Sequence, residues 1–137
     1  METSINNSEP HILILWKPQD YEFIKNIVES KFKIIKTFEV ASLLENVGDT
    51  GRKQIMDALY RYDGSTPGEK GKQPFHVIII EDKNPIYAIR DATRKTKPVN
   101  LNMYDLKHEL RQGRSGYLHA TDNLEEVHDN LEVLAHI

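Results

Sequence analysis

The chain has 137 residues, of which 39% are hydrophobic and 28% are charged, a size that fits one domain with a buried core. It contains no cysteine, which excludes a disulfide framework, a thiolate zinc site and a thiol nucleophile. The formal net charge of -3 lacks the basic excess of a dedicated nucleic-acid-binding protein, and no apolar run is long enough to span a bilayer. We therefore expect a soluble, cytoplasmic protein with a flexible tail over residues 1–10 and a single domain over residues 11–137.

The first forty residues predict a strand, a helix and a second strand. Residues 11–16 form a short apolar run, HILILW, that ends at Lys17-Pro18 and is typical of a buried strand. After residue 20 the apolar residues take helical spacing on one stripe: Tyr21, Ile24, Ile27 and Val28. Residues 32–40 then alternate between apolar and polar, which predicts a strand with one solvated face.

The middle of the chain predicts a broken helix, a loop and a central strand. Residues 41–62 have a helical pattern that is interrupted at residues 48–51 (GDTG). Asp63–Gln73 contains three glycines, one proline and no apolar residue, so we predict a long loop without an apolar anchor. Phe75–Ile80 is apolar on both faces except at His76, which indicates a strand in the centre of a sheet.

Beyond residue 83 the pattern predicts three helices and one short strand. The first helix runs from Asn84 to about Lys95, with Ile86, Ile89 and Thr93 facing inward. A short helix over Asp105–Gln112 and a short strand over Gly116–Ala120 follow it. The last helix runs from Asp122 to about Leu134 with Asp122 as its N-cap. Its apolar stripe consists of four residues: Leu124, Val127, Leu131 and Leu134.

This order of elements predicts an α+β fold of the ferredoxin-like type. In this α/β sandwich, helices cover one face of a four-stranded antiparallel sheet. A doubly wound parallel sheet is disfavoured because the predicted strands are too few.

Basic side chains and one histidine are the candidates for chemistry. The chain has no phosphate-binding glycine loop, dinucleotide motif or His-Glu-x-x-His, and its histidine spacing favours no protein-bound metal. One basic cluster lies over residues 90–97 and a second over residues 107–114. Such clusters either bind a polyphosphate or complement the negative end of a helix. His119 precedes a capped helix, and two interpretations of it stay open: a structural histidine, or a nucleophile for phosphoryl transfer.

Three segments resemble, in order, motifs of the nucleoside diphosphate kinase family. Residues 12–18 (ILILWKP) are similar to the family's first strand and its Lys-Pro pair. Residues 90–98 (RDATRKTKP) have the family's spacing of an arginine, a threonine and a proline. Residues 118–125 (LHATDNLE) resemble the signature Ile-His-Gly-Ser-Asp-Ser-x-Glu. The resemblance covers residues 11–134 and indicates a divergent, short member of the family.

The resemblance assigns a role to each matching residue. His119 matches the catalytic histidine that becomes phosphorylated, and Asn130, where the family has a glutamate, would orient its ring. Tyr60 or Tyr62 would replace the family's lid tyrosine in contact with the base. The residues that would bind the substrate's phosphates are basic or hydroxyl-bearing: Lys17, Arg90, Thr96, Lys107 and Arg114. We expect these side chains to converge on one cleft.

The implied activity is phosphoryl transfer from a nucleoside triphosphate, through a phosphohistidine, to a nucleoside diphosphate or related acceptor. Mg²⁺ would bind through the nucleotide, and copies of the chain would form a homo-oligomer that engages neither nucleic acid nor membrane. Two departures support an alternative, a non-catalytic nucleotide-binding or assembly module: Gly116 stands at the family's ribose-binding asparagine and Asn130 at its glutamate. A nucleic-acid-binding ferredoxin-like domain is disfavoured, because strand 75–82 has one stacking aromatic and ends in acid.

Overall fold

The computed structural model describes residues 2–4, 7–60, 68–92, 95–111 and 118–137. The strands in this part of the chain are β1 (Thr3–Ser4), β2 (Glu9–Leu15), β3 (Lys33–Val40), β4 (Phe75–Asp82), β5 (Ile86–Ala92), β6 (Lys95–Asn100) and β7 (Leu118–Ala120). The helices are α1 (Tyr21–Glu29), α2 (Leu43–Tyr60), α3 (Leu101–Arg111) and α4 (Leu124–Ala135), and a 3-10 turn over Pro18–Asp20 precedes α1. None of the described helices is long and apolar enough to cross a membrane.

The main sheet has four antiparallel strands in the order β3–β4–β2–β7. Strand β2 lies inside this sheet, where Leu13 is opposite Ile78 of β4 and Ala120 of β7. Along the chain, the elements β2, α1, β3, β4, α3 and β7 follow the βαββαβ order of a ferredoxin-like fold. Helix α2 is inserted between β3 and β4, and the β5–β6 pair is inserted before α3. The predicted α+β class is thus confirmed.

Helices cover both faces of this sheet, not one as the sequence predicted. Helices α1 and α3 pack on one face, in a core that includes Leu13, Leu15, Val28, Ile78, Met103 and Leu118. Helices α2 and α4 pack on the other face, in a core that includes Ile12, Ile14, Met56, Phe75, Val77 and Val127. Because successive side chains of a strand point to opposite faces, neighbours such as Leu13 and Ile14 enter different cores.

The helix predicted for residues 84–95 is wrong, because this region forms strand β5 and the start of β6. The spacing of Ile86 and Ile89 fits a helix, but Ile89 is 63% exposed and is not a core residue. Two tertiary contacts favour strands instead: β5 pairs with both β1 and β6, and Tyr87 donates a hydrogen bond to the buried Glu9. Pro98 is compatible with β6 because β6 lies at the edge of its three-stranded sheet.

The last helix is confirmed, but its buried face differs from the predicted stripe. Val127 and Asn130 are buried, whereas Leu124 and Leu131 are 41% and 42% exposed. The N-cap is Asn123, one residue later than predicted, and its side chain accepts a hydrogen bond from the third backbone N–H of the helix at 3.0 Å. The stripe prediction failed because the buried face of the helix contains the polar Asn130 instead of Leu131, the residue that the apolar spacing favours.

The predicted break in the helix over residues 41–62 is confirmed at Gly48. Its φ of 77° and ψ of 176° are not helical, and a positive φ of this kind favours glycine. Helix α3 is also confirmed, although it begins at Leu101, four residues earlier than predicted.

Part of the expected flexible tail belongs to the two sheets. Thr3–Ser4 pairs with β5, and Glu9 and Pro10 are the first residues of β2. Glu9 is buried, because its carboxylate accepts hydrogen bonds from side chains on β2, β5 and β6. A tertiary partner therefore orders a segment that has no local pattern of its own.

Candidate functional site

His119 lies on the short strand β7, opposite Ile14 of β2, and only 8% of it is exposed. Its Nε2 lies 2.6 Å from Oδ1 of Asn130, which is buried on α4. Since a carbonyl oxygen only accepts hydrogen bonds, Nε2 carries the proton and donates it to Asn130. The lone pair is then on Nδ1, for which no hydrogen-bond partner is found among the described residues.

Burial holds the His119 ring in its neutral form. Removal from water lowers the pKa of His119 to about 4, since desolvation disfavours the imidazolium. The bond to Asn130 and the negative charges of Glu126 and Asp122 act to raise this pKa, while the positive charge of Lys107 acts to lower it further. The ring is consequently neutral at pH 7 and keeps a nucleophilic lone pair.

Tyr60, the last residue of α2, connects His119 with two other side chains. Its ring meets the His119 ring edge-on at 4.7 Å between centroids. Its hydroxyl accepts a hydrogen bond of 2.8 Å from Nε1 of Trp16, at the end of β2. The ammonium of Lys70 lies over the Tyr60 ring, 4.3 Å from its centroid. Tyr60 thus forms one wall of the His119 site.

Two lysines near His119 are paired with carboxylates. Lys107 on α3 and Lys97 on β6 both contact Asp122, Lys97 at 2.8 Å, and Lys97 also pairs with Glu126. Burial acts to raise the pKa of Asp122, but the two lysines outweigh it and lower that pKa overall. Burial likewise opposes the charged form of Lys97, and its carboxylate partners raise its pKa. This cluster locks the turn between β7 and α4 to α3 and β6.

Arg90 and Thr96 lie on the β5–β6 hairpin and face opposite sides of it. Arg90 is directly opposite Lys97 in the antiparallel register, and Thr96 is opposite Asp91. Because side chains of one strand alternate, Thr96 points away from the face that Arg90 and Lys97 share. Arg90 stacks over the ring of Tyr104 at 5.0 Å, whereas the Thr96 hydroxyl donates to Asp91 at 2.8 Å.

Lys17 lines a cavity of about 370 Å³ beside the end of β2. The other lining residues are Trp16, Glu69, Lys72 and Gln73. Trp16 also bonds to Tyr60, so this cavity is adjacent to the wall of the His119 site. A larger cavity of about 670 Å³, lined by residues such as Lys33 and Asp82, lies at the opposite end of the sheet and contains no predicted site residue among those described.

The structure therefore brings together only some of the residues assigned by resemblance. His119, Asn130 and Tyr60 are in direct contact. Lys107 and Lys17 lie near this group, because Lys107 pairs with Asp122 and Lys17 lines a cavity together with Trp16. Arg90 and Thr96, by contrast, lie on opposite faces of the β5–β6 hairpin. Arg114 and Tyr62 lie outside the described residues.

Lys70 and Arg111 are neighbours of His119 that the site prediction did not include. Arg111, at the end of α3, donates a hydrogen bond of 3.1 Å to the carbonyl of Leu118, the residue before His119. Arg111 falls within the second basic cluster, so its charge could have identified it as a candidate site residue. Lys70 lies in a loop predicted to have no apolar anchor, and nothing in the local sequence indicates its position over Tyr60.

A second group of buried polar side chains fixes the segment that follows His119. The Thr121 hydroxyl lies 2.9 Å from Nδ1 of His11 and accepts a bond of 3.0 Å from the backbone N–H of Ile12. Nε2 of His11 in turn lies 2.6 Å from the Glu9 carboxylate. Burial acts to raise the pKa of Glu9, but hydrogen bonds from its neighbours lower it overall. All of these side chains are buried, so their role is to hold strands together.

The described residues contain no group of three or more His, Asp or Glu side chains arranged to hold a metal ion. Mg²⁺ bound through a nucleotide is a different case, because the phosphates supply its ligands. No protein-family model matches the chain, and no curated protein matches it.

Proposed function

We propose that the protein transfers the terminal phosphoryl group of a nucleoside triphosphate through a phosphohistidine at His119. The observation behind this proposal is the bond between His119 Nε2 and Asn130, which leaves the lone pair on Nδ1 of a neutral ring. Nδ1 attacks the γ-phosphorus, the bond to the bridging oxygen breaks, and the nucleoside diphosphate leaves with that electron pair. An oxygen of the acceptor, a nucleoside diphosphate or related phosphate, then attacks the phosphohistidine and returns the lone pair to Nδ1.

Charge around the ring supports the transfer step. Lys107 lies close enough to influence the His119 ring, and Lys17 lines the adjacent cavity. Cations in these places stabilise the charge on a transferring phosphoryl group, and Mg²⁺ would neutralise the other phosphates of the bound nucleotide. Asn130 fixes the ring but, unlike a carboxylate, does not offset an imidazolium charge.

One observation favours a second candidate, a nucleotide-binding or assembly module that transfers nothing. Thr96 and Lys107 already bond to Asp91 and Asp122, so two of the residues assigned to phosphate have protein partners. Phosphate binding at these residues would have to compete with those carboxylates. This candidate retains nucleotide binding but no covalent intermediate.

Incubation with γ-labelled nucleoside triphosphate and Mg²⁺ distinguishes the two candidates. We expect label on the protein that is stable to base and labile to acid, as a phosphohistidine is, and released when nucleoside diphosphate is added. His119→Gln should abolish the label, while the matched variant His128→Gln, at an exposed position of α4, should retain it. Asn130→Ala should slow labelling roughly tenfold, the effect of one lost hydrogen bond on the ring.

Two results would overturn the proposal. The first is label that persists in His119→Gln, which would place the chemistry elsewhere. The second is an unlabelled parent protein that still binds the nucleotide in a calorimetric titration, which would establish the non-catalytic module.

A further inference from the structure

Lys70 is held at the His119 site by the backbone around it. The guanidinium of Arg52, a buried residue of α2, donates hydrogen bonds to the carbonyls of Gly68 at 3.1 Å and Lys70 at 2.8 Å. The next carbonyl, that of Gly71, accepts the N–H of Leu43 at 2.8 Å. The loop was predicted to lack an apolar anchor, and its described part is held by hydrogen bonds to the start and the middle of α2. The position of Lys70 is therefore set by the fold.

The Lys70 ammonium points to the ring that touches His119. It lies 4.3 Å from the Tyr60 centroid, and the Tyr60 ring lies 4.7 Å from that of His119. Lys70 is partly buried, and no described carboxylate pairs with it. By contrast, Lys72, two residues further along, is exposed and pairs with Glu69 at 3.4 Å.

Arg111 supplies a second positive charge at the same place. It donates one hydrogen bond to the carbonyl of Leu118, and no described carboxylate pairs with it either. Burial, and then repulsion from Arg111, lower the pKa of Lys70, so the two cations repel each other. Lys97 and Lys107 differ from them, because Asp122 pairs with both lysines and Glu126 pairs with Lys97 as well.

Two cations that no described carboxylate neutralises, close to each other and near a neutral histidine, are complementary to a dianionic phosphoryl group. We propose that Lys70 and Arg111 together bind the terminal phosphate of a nucleoside polyphosphate and present it to His119. This inference rests on the proposed function for the choice of ligand. The binding itself is a separate property, because it requires no bond to His119.

Calorimetric titration of the full chain with inorganic tripolyphosphate, and with the Mg²⁺ complex of a nucleoside triphosphate, tests the inference. Lys70→Gln and Arg111→Gln should each weaken both ligands about tenfold or more, since a hydrogen bond to a charged group contributes roughly 1.5–3 kcal/mol. Lys70→Arg should bind more tightly than Lys70→Gln. Lys31→Gln, the matched control, changes an exposed lysine that pairs with Glu109 at the opposite end of the sheet, and it should bind as the parent does.

The labelling experiment separates failure of this inference from failure of the proposed function. If the parent binds tripolyphosphate in a Lys70-dependent manner but takes up no label, phosphoryl transfer is refuted and the anion site stands. If His119 is labelled but Lys70→Gln binds both ligands as tightly as the parent, the inference is overturned, and Lys70 only packs on Tyr60. A parent that binds neither ligand overturns it too. Lys70→Arg repeats the comparison should Lys70→Gln fail to fold.

Discussion

Folding stability should fall as the pH is lowered from 7 towards 4.5, because the folded protein keeps His119 neutral. The ring is buried and bonded to Asn130, and burial lowers its pKa to about 4. Glu126 and Asp122 pull that pKa upward and Lys107 pulls it downward, but desolvation outweighs them. In the unfolded chain the ring is in water, where a histidine titrates near pH 6.5. The unfolded state therefore binds more protons over this range, and stability is lost as the pH falls.

The size of the effect follows from the two pKa values of His119. With a pKa of about 4 in the folded state and about 6.5 in the unfolded state, the free energy of unfolding should drop by roughly 2 kcal/mol between pH 7 and pH 4.5. The steepest part lies between the two pKa values, at about 1.4 kcal/mol per pH unit. For a domain of this size, the total corresponds to a shift of roughly 1–2 M in the urea midpoint.

Urea unfolding of the parent and His119→Gln at several pH values measures this contribution. The glutamine amide retains a donor for Asn130 but does not titrate. The free energy of unfolding of His119→Gln is subtracted from that of the parent at each pH, which removes the acid sensitivity of carboxylates that both proteins share, such as Glu9 and Asp122. This difference should fall by roughly 2 kcal/mol from pH 7 to pH 4.5. A flat difference for His119→Gln would refute the reasoning, since its ring would then be equally solvated in both states.

Three residues that shape the site without carrying its chemistry give further predictions, each measured by urea unfolding at pH 7. Gly48→Ala should cost about 1–3 kcal/mol because alanine is strained at a φ of 77°, and an unchanged midpoint would mean that α2 continues straight. Arg52→Met should cost about 2–4 kcal/mol through its lost bonds to Gly68 and Lys70, and should also weaken tripolyphosphate binding. Thr121→Val, nearly equal in shape, should cost about 1–3 kcal/mol because it leaves the buried Ile12 N–H unpaired, and a neutral result would mean that water replaces the hydroxyl.

Much of the fold could be predicted because its signals are local. Residues 11–16 and 75–80 are short apolar runs, and α1 has a full helical stripe, so their types follow from spacing alone. Strand β5 could not be predicted this way. Ile86 and Ile89 suit a helix locally, and tertiary contacts favour the strand instead: its pairing with β1 and β6 and the bond from Tyr87 to the distant Glu9.

Part of the candidate site was predictable because its residues, too, are close to one another in the sequence. His119 and Asn130 are eleven residues apart across one turn and one helix, and the resemblance matched both positions, which do form a bonded pair. The place of Lys70 depends on Arg52, eighteen residues earlier, whose guanidinium bonds the Lys70 carbonyl. Arg90 and Thr96 point in opposite directions because side chains alternate along strands. This could not be predicted while residues 84–95 were interpreted as a helix.

The orientation of His119 depends on the buried contacts of Thr121 more than on the pairing of its own strand. Strand β7 has only three residues, and a slip of one residue would turn His119 towards the core that Leu118 and Ala120 occupy. The N–H of Thr121 bonds the carbonyl of Ile12, and its hydroxyl accepts the Ile12 N–H, so these two bonds fix the register. With that register, the His119 ring lies on the face where Asn130 and Tyr60 reach it. The placement of the His119 ring therefore depends on residues that lie outside the proposed site.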